Sequence, residues 1–134
     1  MVPANTILIA DDFAAFRRLI SSKLKENGFQ TVAEASDGLE AVAQAATLQP
    51  DIVLLDIGMP NLDGIKAAAQ IRTVAAKSKI LFLSQFTDPA IVHSALSGGA
   101  MGYVYKSEIH RELLPAIEAA LAGKTFVSAV LSRT

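Results

Sequence analysis

Five short apolar runs recur along this chain, each separated from the next by a stretch with helical spacing. They are Thr6–Ala10 (TILIA), Gln30–Ala35 (QTVAEA), Ile52–Leu55 (IVLL), Ile80–Leu83 (ILFL) and Met101–Tyr105 (MGYVY). Runs this short, rich in β-branched and aromatic residues, predict strands rather than helices. The unbroken apolarity of the first, third and fourth predicts strands covered on both faces, whereas Glu34 marks the second as an edge.

The intervening stretches predict helices. Phe13, Phe16, Ile20 and Leu24 fall on one helical face, and Gly28 stands where the glycine after a helix end belongs. Asp37 is an N-cap candidate for a second helix with Leu39, Val42 and Ala46 turned inward, stopping before Pro50. Ile65, Ala68 and Ile71 mark a third after Asp63-Gly64, and Asp88-Pro89 gives a cap and first-turn proline for a fourth. A fifth runs from about His110 to Leu121, where Pro115 predicts a late start or a bend. Alternating strands and helices imply an α/β fold, a doubly wound five-stranded parallel sheet with five helices covering both faces. The ending KTFVSAVLSRT fits no sixth repeat, so residues 1–123 read as one domain and 124–134 as a tail or truncated linker.

Composition narrows what such a domain binds. A chain of 134 residues is long enough for one well-filled core. A formal net charge of −1 lacks the basic footprint that direct nucleic-acid binding needs. Without cysteine there is no disulfide framework and no thiolate zinc site. The start is too short in apolar residues for a signal peptide, and no run reaches membrane-spanning length, so the expectation is a cytoplasmic protein with no membrane partner.

Ligands of open parallel α/β sheets bind beyond the carboxyl ends of the strands. Asp11 and Asp12 follow the first predicted strand, Asp56 the third, Ser84 the fourth and Lys106 the fifth. Each has an ordinary reading alone: Asp12 as a helix cap, Asp56 as a turn residue, Ser84 as a loop hydroxyl, Lys106 reaching water. Together they place three carboxylates, a hydroxyl and an ammonium at one edge. Converging carboxylates repel unless cations intervene, and an all-oxygen set suits Mg²⁺ or Mn²⁺ rather than zinc. Were a phosphoryl group to arrive, Asp56 is a candidate nucleophile, with Lys106 and Ser84 holding phosphoryl oxygens.

This set, with Asp56 inside DIGMPNLDG, resembles the CheY-like receiver domain of bacterial two-component response regulators over about residues 5–123. The resemblance implies a flavodoxin-like sheet in the order 2-1-3-4-5. It implies that Asp56 accepts phosphate from a sensor histidine kinase and that Asp11, Asp12, Asp56 and the Gly58 carbonyl bind Mg²⁺. It further implies that Ser84 and Lys106 contact the phosphoryl group while Tyr103, three residues before the lysine, turns inward. The chain is then a signalling phosphoacceptor and not an enzyme beyond its own phosphorylation and dephosphorylation. GGAMGYVYKS (98–107) and the ending are similar to the NarL/FixJ branch, implying homodimerisation, and transcription regulation through a helix-turn-helix DNA-binding domain absent from this sequence.

Gln85 departs from the small residue usual after the hydroxyl and is expected to obstruct access to the acyl phosphate. His93 and His110 lack paired acids or ligand spacing and read as surface or partly buried helix residues. Two further readings stand beside the leading one. A haloacid-dehalogenase-like phosphatase also uses an aspartate nucleophile, but Asp11-Asp12-Phe13 lacks its D-x-D spacing. A phosphorylation-independent interaction module would have no use for the complete set of acids, hydroxyl and lysine.

Overall fold

In a computed structural model describing residues 5–131, strands and helices alternate as the sequence predicts. The elements are β1 (Thr6–Ala10), α1 (Ala14–Glu26), β2 (Gln30–Ala35), α2 (Gly38–Leu48), β3 (Ile52–Leu55) and α3 (Gly64–Val74). There follow β4 (Lys79–Ser84), α4 (Pro89–Ser97), β5 (Gly102–Tyr105), α5 (Ile109–Leu121) and β6 (Phe126–Val127). The outer termini of the two expected segments, 1–123 and 124–134, lie partly outside the described residues.

All strand pairs are parallel, in the order β2-β1-β3-β4-β5-β6. The expected order of five is present, but the sheet has a sixth strand. Phe126 and Val127 add beside Gly102 and Tyr103, so part of the expected tail is sheet. The pairing needs Gly102, where a Cβ would stand 2.6 Å from the Phe126 carbonyl oxygen and 2.8 Å from a Leu81 methyl.

Burial follows from the layering. One core lies under α2, α3 and α4, where Ala41, Ala45, Ala68, Ile71 and Ala95 meet Leu8, Val53, Leu55 and Phe82. The other lies under α1 and α5, where Ile20, Leu24, Leu113 and Ile117 meet Ile7, Ile9, Leu54 and Leu81. Each large aliphatic side chain so buried stabilises the fold by about 1.5 to 3 kcal/mol. β2 is one of the two outer strands, and its exposed Glu34 pairs with Arg17.

Two predicted helix faces are corrected. In α2 Gly38, Ala41 and Ala45 are buried and the expected Val42 packs partly buried against the same core, while Leu39 is 56% exposed and Ala46 faces solvent. Phe13, placed on the inner face of α1, is 67% exposed because it is the N-cap and lies outside the helix proper. Pro115 causes no late start. α5 runs from Ile109 through it, with the proline on the solvent side. Both histidines are exposed. Among the described residues no helix is long and apolar enough to cross a membrane.

Candidate functional site

The carboxyl ends of the central strands open into a cleft of about 320 Å³ whose lining includes Asp11, Asp12, Asp56, Gly58, Gln85 and Lys106. One carboxylate oxygen from each of Asp11, Asp12 and Asp56 lies within 4.8 Å of the others.

Asp11 is carried past β1 by its own N–H, which donates to the Ala35 carbonyl of β2 at 3.0 Å. Its Oδ1 accepts from Phe13 N–H at 2.9 Å, turning the chain into α1. Arg17 secures the same turn, donating to the Asp11 carbonyl at 2.6 Å while its Nε pairs with Glu34 at 3.0 Å. Asp12, next along, is exposed and caps no helix, since the N-cap of α1 is Phe13. The cap reading of Asp12 therefore fails.

Asp56 emerges at the end of the buried IVLL strand and is only 7% exposed. Its N–H donates to Ala10 at 2.9 Å, and its Oδ1 accepts from Ile57 N–H at 2.8 Å. The loop behind it is closed by Gly64, where a Cβ would stand 1.9 Å from the Asp56 carbonyl oxygen. Asp63 caps α3 by accepting from Lys66 N–H at 3.0 Å, which fixes Gly64 at the first helical position. Asn61, at φ 68°, donates across to Asp37 at 2.7 Å and ties the same loop to α2.

Lys106 does not extend to water. Its Nζ lies 2.6 Å from Asp11 Oδ2, 3.5 Å from Asp56 Oδ2 and 4.4 Å above the centre of the Phe16 ring. Burial raises the pKa of Asp56, and the neighbouring Asp11 charge adds to the rise. The Lys106 ammonium and the Ile57 N–H oppose it.

Ser84 and Tyr103 sit beside the cleft rather than on its lining. Ser84 is the last residue of β4 and fully buried, and its Oγ accepts from Phe86 N–H at 3.0 Å. Tyr103 is fully buried too, its hydroxyl donating to the Phe86 carbonyl at 2.7 Å. Phe86 is thus the shared backbone partner of both residues. Burial also raises the Tyr103 pKa.

Three residues that position the site escape a reading of the sequence. Phe16 shows the spacing of a core residue and gives no sign of its place under an ammonium. Arg17 looks like any solvated helix charge. Gly64 carries some signal, since Asp-Gly before an apolar helix marks a cap, but nothing local reveals that Asp56 lies against it.

Fold and cleft together define a doubly wound α/β domain with an acidic site at its strand ends. The chain belongs to the response regulator receiver domain family, which matches residues 7–118, and is a receiver domain of the two-component signalling type. It is 40% identical over 116 residues to the transcriptional regulatory protein PdtaR of Mycobacterium tuberculosis, covering 87% of this chain and 56% of that protein. It is 37% identical over 118 residues to the chemotaxis protein CheY of Bacillus subtilis, covering 88% of this chain and 98% of CheY. A LuxR-family two-component response regulator from Aurantimonas sp. SI85-9A1 superposes with a TM-score of 0.92 at 34% identity, covering 97% of this chain and 94% of that one. The chain spans 56% to 58% of the length of the first curated regulators it matches.

Proposed function

We propose that this chain accepts a phosphoryl group on Asp56 from a sensor histidine kinase and passes the change on through dimerisation or an attached DNA-binding output domain. The observation that carries the choice of Asp56 is the state of the carboxylate oxygens. Both oxygens of Asp11 are engaged, one by Phe13 N–H and one by Lys106 at 2.6 Å. Asp56 Oδ2 is held less closely, 3.5 Å from the same ammonium, and its carboxylate faces the cleft.

In the transfer, Asp56 Oδ2 bonds to phosphorus as the bond from phosphorus to the donor histidine nitrogen breaks. That nitrogen keeps the electron pair and is protonated, and an acyl phosphate forms on Asp56. Lys106 then has a phosphoryl oxygen to pair with in place of a carboxylate, and a rearranged Ser84 hydroxyl adds a second donor. Freeing that hydroxyl releases Phe86 N–H, and the Phe86 carbonyl is held by Tyr103, so the loop before α4 is the element that moves.

The donor set fits Mg²⁺. The carboxylates of Asp11, Asp12 and Asp56 and the carbonyl of Gly58 would hold it, since oxygen ligands suit a hard cation. Bound there, the ion supplies positive charge that offsets the crowded carboxylates and the incoming phosphoryl oxygens. The presence of the whole set also weighs against an interaction module indifferent to phosphate. This reading makes the chain a signalling acceptor rather than an enzyme acting on external substrates, working in the cytoplasm where a kinase domain can reach it.

Incubation with acetyl phosphate and Mg²⁺ should add the mass of one phosphoryl group, lost with chelator and in Asp56→Asn. An unchanged wild-type mass contradicts the proposal. Gln85, exposed on the cleft wall, gates access, so Gln85→Ala should alter the rate of phosphorylation or of dephosphorylation. Equal rates in both directions would remove that role.

A further inference from the structure

Beyond the family match, which ends at residue 118, the chain returns to the sheet, and its return is fastened by a buried acid. Phe126 N–H donates to the Met101 carbonyl at 3.0 Å and Ser128 N–H to the Tyr103 carbonyl at 2.9 Å. The Ser128 hydroxyl then does two things. It accepts from Tyr105 N–H at 2.7 Å, and it donates to Oε1 of Glu112 on α5. The second Glu112 oxygen accepts from Ala129 N–H at 3.2 Å. Ser128 is fully buried and Glu112 is 9% exposed. A hydroxyl has one proton to give, and here it goes to the carboxylate while the lone pairs serve the strand.

The arrangement has no part in the phosphoryl chemistry itself, yet it ends one residue short of that chemistry. Tyr105 immediately precedes Lys106, whose ammonium bridges Asp11 and Asp56. With β6 in place, β5 has strands on both sides, and Tyr105 N–H is satisfied by Ser128. Without it β5 becomes the outermost strand, and the backbone that aims Lys106 is held by β4 alone. Leu131 continues the same segment onto α4, joining Thr87, Val92 and His93 around a hollow of about 200 Å³.

We propose that Ser128 and Glu112 are positioning residues for the phosphoryl-accepting site. They fasten residues 126–131 across β5 so that Lys106 is preset between Asp11 and Asp56, and the segment is part of the working unit rather than a connector. The inference rests on the phosphoacceptor reading of the cleft. Coupling between two sites is reciprocal, so a phosphoryl group held by Lys106 must in turn tighten the segment.

Beryllofluoride with Mg²⁺, a stable stand-in for the phosphoryl group, tests this by calorimetric titration of the full chain. Ser128→Ala should bind it about threefold to tenfold more weakly than wild type, the span set by losing the worth of one ordinary hydrogen bond. Ile20→Val, which loosens the α1 core without touching the segment, should bind as wild type does despite its own loss of thermal stability. In wild type, saturation with beryllofluoride should slow hydrogen exchange at the Tyr105 and Ser128 amides. Wild-type affinity in Ser128→Ala, or an equal loss in Ile20→Val, overturns the inference, as does exchange that ignores the ligand. Absence of binding by wild type sinks the phosphoacceptor reading instead.

Discussion

The two halves of the cleft are built differently. The half supplied by β1 and β3 is already assembled: one oxygen from each of three carboxylates lies within 4.8 Å of the others, and those of Asp11 and Asp56 each accept from a nearby backbone N–H. The half supplied by β4 and β5 is committed elsewhere. Ser84 spends its hydroxyl on Phe86 N–H, Tyr103 holds the Phe86 carbonyl, and the Lys106 ammonium sits on the acids. On the proposed reading, the acidic half gathers the oxygens that would hold a cation, whereas Ser84 must turn away from Phe86 N–H before its hydroxyl can reach a phosphoryl group. On that reading, the asymmetry would turn a charge added at Asp56 into movement of the loop before α4.

The contrast can be broken most forcefully behind Asp56. Gly64→Ala places a methyl 1.9 Å from the Asp56 carbonyl oxygen, so the acceptor loop must shift. Denaturant unfolding should register a loss of about 1 to 3 kcal/mol, with slowed phosphoryl uptake. Gly38→Ala makes a clash of the same size against the Leu62 carbonyl. It should cost similar stability but slow uptake less, because the displaced atoms are farther from the acceptor.

Asp12→Asn sharpens the same contrast by touching charge alone. Asp12 is exposed and caps nothing, so thermal stability should hold. The Mg²⁺ concentration needed for half-maximal phosphorylation should rise by about tenfold or more, as expected when an ion loses a charged ligand. On the opposite half, Ser84→Ala should cost about 1 kcal/mol by leaving Phe86 N–H unpaired, while Mg²⁺ dependence stays as in wild type. A shifted Mg²⁺ midpoint in Ser84→Ala would erase the distinction between the halves.

The smallest effect is in pH. Burial raises the folded-state pKa of Asp56 above its ordinary 3.8, so the folded chain binds more protons than the unfolded chain between those two values. Stability contributed by this group therefore falls as pH rises through that window and is level above it. Without divalent ions, the stability of Asp56→Asn relative to wild type should rise as pH increases above about 4 and then level off, measured by denaturant unfolding at each pH.

Much of this architecture was legible because buried parallel strands leave unbroken apolar runs and the site residues follow them directly. IVLL and the Asp56 after it are the clearest instance. What escaped depends on distance in the chain. β6 contributes only Phe126 and Val127, too short to show a period, and its docking depends on the missing side chain of Gly102, 24 residues earlier. The inner face of α2 was only partly legible: Val42 does pack against the core, but close packing buries Gly38, Ala41 and Ala45 in place of Leu39 and Ala46. At the site, residue types and positions could be read, but the bonds could not. No local pattern says that Ser84 turns toward Phe86 or that Phe16 lies beneath Lys106.

The central claim is that Asp56, among three crowded carboxylates, carries the phosphoryl group. Borohydride reduces an acyl phosphate to an alcohol, converting a phosphorylated aspartate to homoserine. After treatment with acetyl phosphate and Mg²⁺, reduction and peptide mapping should find homoserine at position 56 and unaltered aspartate at 11 and 12. Homoserine at 11 or 12, or at none of the three in protein that has gained the phosphoryl mass, would contradict the account.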